Sequence, residues 1–226
     1  MIDKFVPDIA TAIAGIHDGA RIMIGGFGAI GLPNQLIDAV AETGVKELTL
    51  IANNAGAAFG GLAMLLKTGA VRKVVCSYPR SAGSTLFEDL YRDGKIELEL
   101  VPQGTLAERI RAASAGVPAF FTPTAAGTQL AHGKETREIN GKLCVLEHAI
   151  FADFALLECW QADRWGNLTY RLAGRNFNPI MAGAAKLTIV QAQHKVELGE
   201  IAPDDVMTPG IYVNRVVHVP YGDPVL

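Results

Sequence analysis

Asp18-Gly-Ala-Arg-Ile-Met-Ile-Gly-Gly-Phe-Gly-Ala-Ile-Gly-Leu-Pro33 carries an apolar strand straight into a loop almost stripped of side chains. Ile22, Met23 and Ile24 predict a short core strand, while Gly25, Gly26, Gly28 and Gly31 permit close approach and positive φ. Pro33 suits the first position of a new helix. Strand, glycine turn and helix start together describe a site where backbone N–H groups meet an anion or a carbonyl. Gly26-Phe27-Gly28-Ala29-Ile30-Gly31 satisfies the dinucleotide spacing G-x-G-x-x-G on letters alone. The acidic residue required about twenty positions later would fall near Ile51 to Asn54, where there is no carboxylate. A phosphate-cradling loop fails too, because no Gly-Lys-Ser or Gly-Lys-Thr follows the glycines. A tight structural turn without a ligand is the plain alternative.

Outward from this loop the first half repeats one grammar. Strands are predicted at 21–24, 47–51, 73–76 and 97–101, each followed by a loop and then a helix, at 33–43, 62–67, 85–92 and 106–113. Such alternation gives an α/β fold, an open and mostly parallel sheet flanked by helices. Open parallel sheets hold ligands beyond the carboxyl ends of their strands. The glycine loop, Asn53 and Asn54, Arg80 and Gln103 are therefore expected at one edge. They supply backbone donors, three side-chain amides and one guanidinium, without a Ser-His pair or a carboxylate pair. That set suits polarising a carbonyl and not attacking it. Each residue also has a simpler reading: an Asx turn for Asn53-Asn54, a helix cap for Gln103, a solvated charge for Arg80.

The second half is less regular. Residues 122–141 are polar and read as a long loop or flap, a length that often signals function. Further strands are predicted at 143–147, 154–157, 187–191 and 211–217, with a turn at Gly166-Asn167. Arg175-Asn176-Phe177-Asn178 before Pro179 reads as a polar turn of structural placement. Glu108 and Arg109 read as surface charges of a helix, and Glu158 beside Trp160 as a buried acid without a nearby base.

With 226 residues and no linker-like run, a single domain over 1–226 is expected. A net charge of −3 without a basic cluster removes the footprint of a nucleic-acid binder. Half the residues are hydrophobic, yet Glu147, His148 and Asp153 break up the region 143–160, so no membrane span is expected. The surplus apolar surface points instead to an interface between protein chains. The amino terminus reads as an amphipathic helix carrying Ile9, Ile13 and Ile16, unlike a secretory signal, which suggests the cytoplasm. Cys76, Cys144 and Cys159 show no C-x-x-C pairing and read as buried small hydrophobes. The five histidines have no ligand spacing, so no metal is expected.

These residues resemble a known family. Asp18-Gly19-x-x-Ile22-Met23-Ile24-Gly25-Gly26-Phe27-x-x-x-Gly31-x-Pro33 is similar to the signature of family I 3-oxoacid CoA-transferases, in their A (alpha) subunit. The likeness continues through Leu50-Ile-Ala-Asn53-Asn54-Ala-Gly56, Val101-Pro102-Gln103-Gly104-Thr-Leu-Ala-Glu108-Arg109-Ile-Arg111-Ala, Asp153-Phe-Ala-Leu156, Gly166-Asn167-Leu-Thr-Tyr170-Arg171 and Arg175-Asn176-Phe177. Such enzymes move coenzyme A between acids through an enzyme-bound anhydride and a glutamyl-CoA thioester. The resemblance implies that coenzyme A is a substrate, that no cofactor is held permanently, and that the partner is a B (beta) subunit in an A2B2 heterotetramer. The family's nucleophilic glutamate lies in a Ser-Glu-Asn-Gly motif of the B subunit, which is absent here; the chain runs to Leu226 with no linker to a second half. A partner is therefore expected to bring the attacking carboxylate.

By position, Gly25, Gly26, Phe27, Gly28, Ala29, Ile30 and Gly31 match the family's CoA-contacting loop, and Asn53, Asn54 and Gln103 its active-site amides. Cys76-Ser-Tyr-Pro-Arg80 and Asp163-Arg164-Trp165-Gly166-Asn167 resemble the 3-oxoadipate branch more than the acetoacetate branch, with succinyl-CoA as donor in both. Arg80 would meet the second carboxylate of 3-oxoadipate. Two other readings stay open: a sugar-phosphate isomerase-like or nucleotide-binding enzyme acting alone, and a non-catalytic binding or scaffold subunit that only holds a partner.

Overall fold

The computed structural model describes residues 2–56, 60–80 and 83–220. After α1 (Ile9–Ile13) the chain alternates β1 (Arg21–Ile24), α2 (Asn34–Glu42), β2 (Leu48–Ile51), α3 (Leu62–Lys67), β3 (Val71–Cys76), α4 (Leu86–Arg92), β4 (Glu97–Leu100) and α5 (Gln103–Ser114). Strands β5 (Ala119–Thr122), β6 (Thr136–Ile139) and β7 (Lys142–His148) follow, then β8 (Ala152–Ala162), β9 (Leu168–Thr169), α6 (Asn178–Ala182), β10 (Ala185–Lys195) and β11 (Arg215–His218). The main sheet runs β11-β10-β8-β1-β2-β3-β4, every neighbouring pair parallel, with β9 antiparallel on β8. No helix among the described residues is long and apolar enough to cross a membrane.

The central strands β1 and β2 are nearly all apolar and buried because both faces of the sheet are covered there, whereas the edge strand β4 alternates Glu and Leu. Ile22 and Ile24 pack with Leu36, Ile37, Val40 and Leu65 of α2 and α3, whereas Met23 between them packs with Leu106 and Ile110 of α5 and Met181 of α6. The same alternation sends Leu50 and Val74 to the first layer, Ile51 and Val75 to the second. Helix α2 has no side-chain cap of its own. The N–H of Leu36 instead donates to Gln191 Oε1 of β10 at 3.3 Å, tying the helix that follows the glycine loop to the far half of the sheet.

Strands β8 and β10 are each eleven residues long, well beyond the predicted 154–157 and 187–191. Strand β1 pairs with β8 only as far as Ile24 against Leu156, while β8 and β10 stay paired to Ala162 against Lys195. From Leu156 to Ala162, about 20 Å of strand, a ribbon thus rises past the glycine loop and forms a wall beside it.

Four expectations are corrected. The region 122–141 is not simply a loop: β5, β7 and β6 form a second, antiparallel sheet, and Asn140 and Gly141, at φ +51° and +71°, make the tight turn between β6 and β7. Positive φ at both central residues is the hairpin geometry that an Asn-Gly pair favours. The predicted strand 211–217 divides into a 3-10 turn, Gly210–Tyr212, and β11. Helix α5 begins at Gln103, not 106, and Arg109 on it is no surface charge, since only 13% of its side chain is exposed. Glu108 does behave as expected, pairing with Arg111 near the surface.

Arg109 fastens the small sheet to the large one. Its Nη1 lies 3.0 Å from Glu99 of β4, its Nε donates to the carbonyl of His148 at 2.7 Å and sits 3.8 Å from Glu147 of β7. Glu147 is 3% exposed and also holds Lys134 at 2.5 Å; Glu99 also holds Lys73 of β3 at 2.7 Å. Burial pushes the Glu99 carboxyl up, but hydrogen bonds from Lys73 and Arg109 outweigh it and keep the group below its ordinary range.

Candidate active site

The loops after β1, β2, β3 and β4 open on the same edge of the sheet, as the parallel pairing requires. Gln103, the first residue of α5, donates from Nε2 to Asn53 Oδ1 at 2.7 Å, so two of the predicted amides meet directly. The backbone carbonyl of Asn53 accepts the N–H groups of Ser77 and Tyr78, at 3.0 and 3.1 Å, from the loop after β3. Asn54 Oδ1 accepts the N–H of Gly28 at 3.0 Å, from the loop after β1. Asn53 and Asn54 are 4% and 7% exposed. Their side-chain oxygens are thus engaged within the fold, which leaves each Nδ2 group as the donor for a ligand at this edge.

The glycine loop is built differently from the expectation. Phe27 and Ile30 exchange N–H···O bonds of 3.0 and 3.1 Å across a two-residue turn in which Gly28 takes φ +62°. The N–H of Gly25 goes to the carbonyl of Leu156 and that of Gly26 to Asn176 Oδ1, both at 3.0 Å. The N–H groups of Gly25, Gly26, Phe27, Gly28 and Ile30 are therefore engaged inside the chain, which leaves those of Ala29 and Gly31 beside the side-chain amides as donors. What the loop turns outward is apolar: Phe27 and Ile30 are 48% and 54% exposed.

Beside Gly25, Gly26 and Gly31 the space is filled by the chain itself, whereas Gly28 faces open space. A Cβ on Gly25 would lie 1.8 Å from Asn178 Oδ1, one on Gly26 2.5 Å from Leu32, and one on Gly31 2.8 Å from Asn176 Nδ2. Asn178 is fully buried and held by several hydrogen bonds, so it cannot retreat. Gly25→Ala is expected to destabilise the protein by about 1–3 kcal/mol; an unchanged midpoint in thermal or urea unfolding would contradict this packing. Asn176 and Asn178 thus belong to the site's framework, as the structural reading of 175–178 anticipated, but no sequence signal linked them to a loop so distant in the chain.

At its far end the loop lines a cleft of about 400 Å3, together with Glu158, Trp160, Arg171 and Leu172. Glu158 accepts a hydrogen bond from Gln193 Nε2 at 2.6 Å on this wall. Arg80 is not drawn into the amide cluster: 77% of its side chain is exposed and its guanidinium lies 3.5 Å from Glu88 of α4. All three cysteines are free and buried. Burial pushes the Cys76 thiol, at the end of β3, up to about 12, and raises Cys159 as well, so neither supplies a thiolate nucleophile at neutral pH. Among the described residues no group of three or more His, Cys, Asp and Glu side chains could hold a metal ion.

The whole chain, with this edge, has counterparts among known proteins. Residues 6–219 match the family described as coenzyme A transferase. The chain belongs to the coenzyme A transferase family. It is 59% identical over 219 residues to the A subunit of the 3-oxoadipate CoA-transferase of Pseudomonas putida, covering 97% of this chain and 95% of that one. It is 46% identical over 235 residues to the mitochondrial succinyl-CoA:3-ketoacid coenzyme A transferase 2A of Rattus norvegicus, of which it spans 45%. The crystal structure of glutaconate coenzyme A-transferase from Acidaminococcus fermentans superposes with a TM-score of 0.84, over 96% of this chain and 76% of that one. At 23% identity that likeness concerns the fold alone. For this CoA-transferase chain coenzyme A is a substrate.

Proposed function

We propose that this chain is the A subunit of an enzyme that moves coenzyme A from succinyl-CoA to 3-oxoadipate, acting with a B subunit in an A2B2 heterotetramer. The observation that carries this reading is the 59% identity to the Pseudomonas putida protein over nearly the whole of both chains. The pairing of Asn53 with Gln103 at the carboxyl edge of the sheet supports it independently. Residues 1–226 act as one domain, hold no permanent cofactor, bind no nucleic acid and work in the cytoplasm.

In this reading a glutamate carried by the B subunit is the nucleophile. It attacks the thioester carbonyl of succinyl-CoA, expelling the CoA thiolate and leaving a mixed anhydride. The thiolate then attacks the glutamyl carbonyl of the anhydride, releasing succinate and leaving glutamyl-CoA. The acceptor acid reverses both steps and departs as its CoA thioester. Every addition places negative charge on a carbonyl oxygen, and the Nδ2 groups of Asn53 and Asn54 are the donors that meet it. Gln103 holds the Asn53 amide in the orientation that presents this donor. Gly25, Gly26, Phe27, Gly28, Ala29, Ile30 and Gly31 contact coenzyme A chiefly through the outward side chains of Phe27 and Ile30. Arg80, itself exposed, exchanges its Glu88 partner for the distal carboxylate of 3-oxoadipate.

The test is co-expression with a B subunit, followed by assay of CoA transfer to 3-oxoadipate and to acetoacetate. 3-Oxoadipate is expected to be the better acceptor, and Arg80→Met is expected to slow it roughly tenfold while sparing acetoacetate, the effect of losing one charge-assisted contact. Equal losses on both acids would remove Arg80 from acceptor recognition. A preference for acetoacetate would favour the second reading, carried by the 46% identity to the rat succinyl-CoA:3-ketoacid enzyme. Unchanged transfer in the absence of this chain would reduce it to a scaffold.

A further inference from the structure

We infer that Asn176 and Asn178 are positioning residues that set the glycine loop, and through it Asn54, so that turnover depends on two side chains outside the amide edge. The inference rests on the CoA-transferase reading of that edge. Asn178 stands on the first turn of α6, fully buried. Its Oδ1 accepts the N–H of Glu158 at 3.0 Å, just past the point where β8 outruns β1 and loses its strand partner on that side. Its Nδ2 donates to the carbonyls of Gly31 and Gly174, at 3.0 and 2.9 Å. Asn176 does the complementary work. Its Oδ1 accepts the N–H of Gly26 at 3.0 Å, and its Nδ2 donates to the carbonyls of Ile30 and Ala173, at 3.1 and 2.8 Å.

The two asparagines therefore grip both flanks of the turn closed by Phe27 and Ile30, from a segment some 150 positions away. The tip of that turn, Gly28, gives its N–H to Asn54 Oδ1. A continuous series of fixed contacts thus runs from Asn176 to Gly26 and Ile30, on to Gly28, and then to the amide of Asn54. The residue type follows from the task. Each position must accept a backbone N–H and donate to backbone carbonyls while staying uncharged, which a short carboxamide does and neither aspartate nor serine does as fully. The glycines are matched to it, because a Cβ at Gly25 or Gly31 would strike the asparagine amides. Loop and clamp form one interlocked unit whose output is the placement of a donor.

A positioning role predicts loss in the chemical step more than in binding, because misplacing a donor by a fraction of an ångström weakens contacts realised in the transition state. In the assembled enzyme, Asn176→Ala is expected to lower kcat by about tenfold to a hundredfold with KM for the acyl-CoA little changed. Asn176→Asp keeps the acceptor for Gly26 and should recover part of the loss. Amide hydrogen exchange at Gly26 and Gly28 should accelerate in Asn176→Ala while β8 and α5 stay protected. Asn176 is chosen because Asn178 is fully buried, so that its replacement would disturb packing as well. A kcat equal to wild type in the assembled Asn176→Ala enzyme, or unaltered exchange at Gly26 and Gly28, overturns the inference. Failure of the functional reading looks different: the wild-type complex would transfer CoA to no 3-oxoacid, and exchange at the two glycines would still decide whether the clamp sets the loop.

Discussion

Replacing Asn53 with alanine in the assembled enzyme is expected to lower turnover about a hundredfold or more, since one well-aimed donor to an oxyanion contributes roughly 3 to 4 kcal/mol. The geometry makes this variant unusually clean. Ser77 and Tyr78 are held by the backbone carbonyl of Asn53, which alanine retains, so the loop after β3 keeps its anchor. The side chain loses only its bond to Gln103 and the Nδ2 donor. Melting temperature and association with the B subunit should therefore change little while kcat falls. Asn53→Asp is a sharper probe: the carboxylate still accepts from Gln103 but has no donor, and it should be as slow as alanine. Near-normal rates in either variant would remove Asn53 from the chemistry. Gln103→Ala, which frees the Asn53 amide to rotate, should fall between wild type and Asn53→Ala.

The largest effect on stability is expected at Arg109. Arg109→Met keeps most of the side-chain stem but strips the guanidinium from Glu99, Glu147 and the His148 carbonyl. Glu147 retains Lys134, so the cost falls at the lower end of that for a broken buried pair, about 3 kcal/mol. For a chain of this size that corresponds to a drop of about 6–12 °C in melting temperature. The pH dependence gives a second signature. Glu99 is held below its ordinary pKa of 4.5 in the folded protein, so its pairing stabilises the fold fully above that value and is lost as pH falls through the folded one. The stability gap between wild type and Arg109→Met should narrow on acidification below pH 4.5. A gap that widened in acid, or a melting temperature within a degree or so of wild type, would show that Arg109 is not the fastener between the two sheets.

The sheet and its functional edge were legible because hydrophobic period and glycine punctuation are local signals. The run Arg21 to Pro33 announced β1, the turn and α2, and the parallel order then placed Asn53, Asn54 and Gln103 together without any knowledge of contacts. What escaped the sequence was set by partners far along the chain. Nothing in Phe154 to Leu157 tells that β8 continues to Ala162, because the extension is stabilised by β10 and not by its own pattern. Arg109 looks like an ordinary surface charge until Glu147 and His148 of the small sheet fold against it. The Asn140-Gly141 pair was a readable hairpin signal that the polar surroundings of 122–141 obscured. The glycine loop was recognised, but its bare backbone also makes room, at Gly25, Gly26 and Gly31, for Asn178, Leu32 and Asn176.

That the loop answers its own donors has a bearing on how the two halves of the enzyme meet. A segment most of whose backbone N–H groups are already bonded within the chain is expected to take its form without waiting for thioester or companion. On this side, encounter with a partner subunit is then expected to carry little ordering penalty.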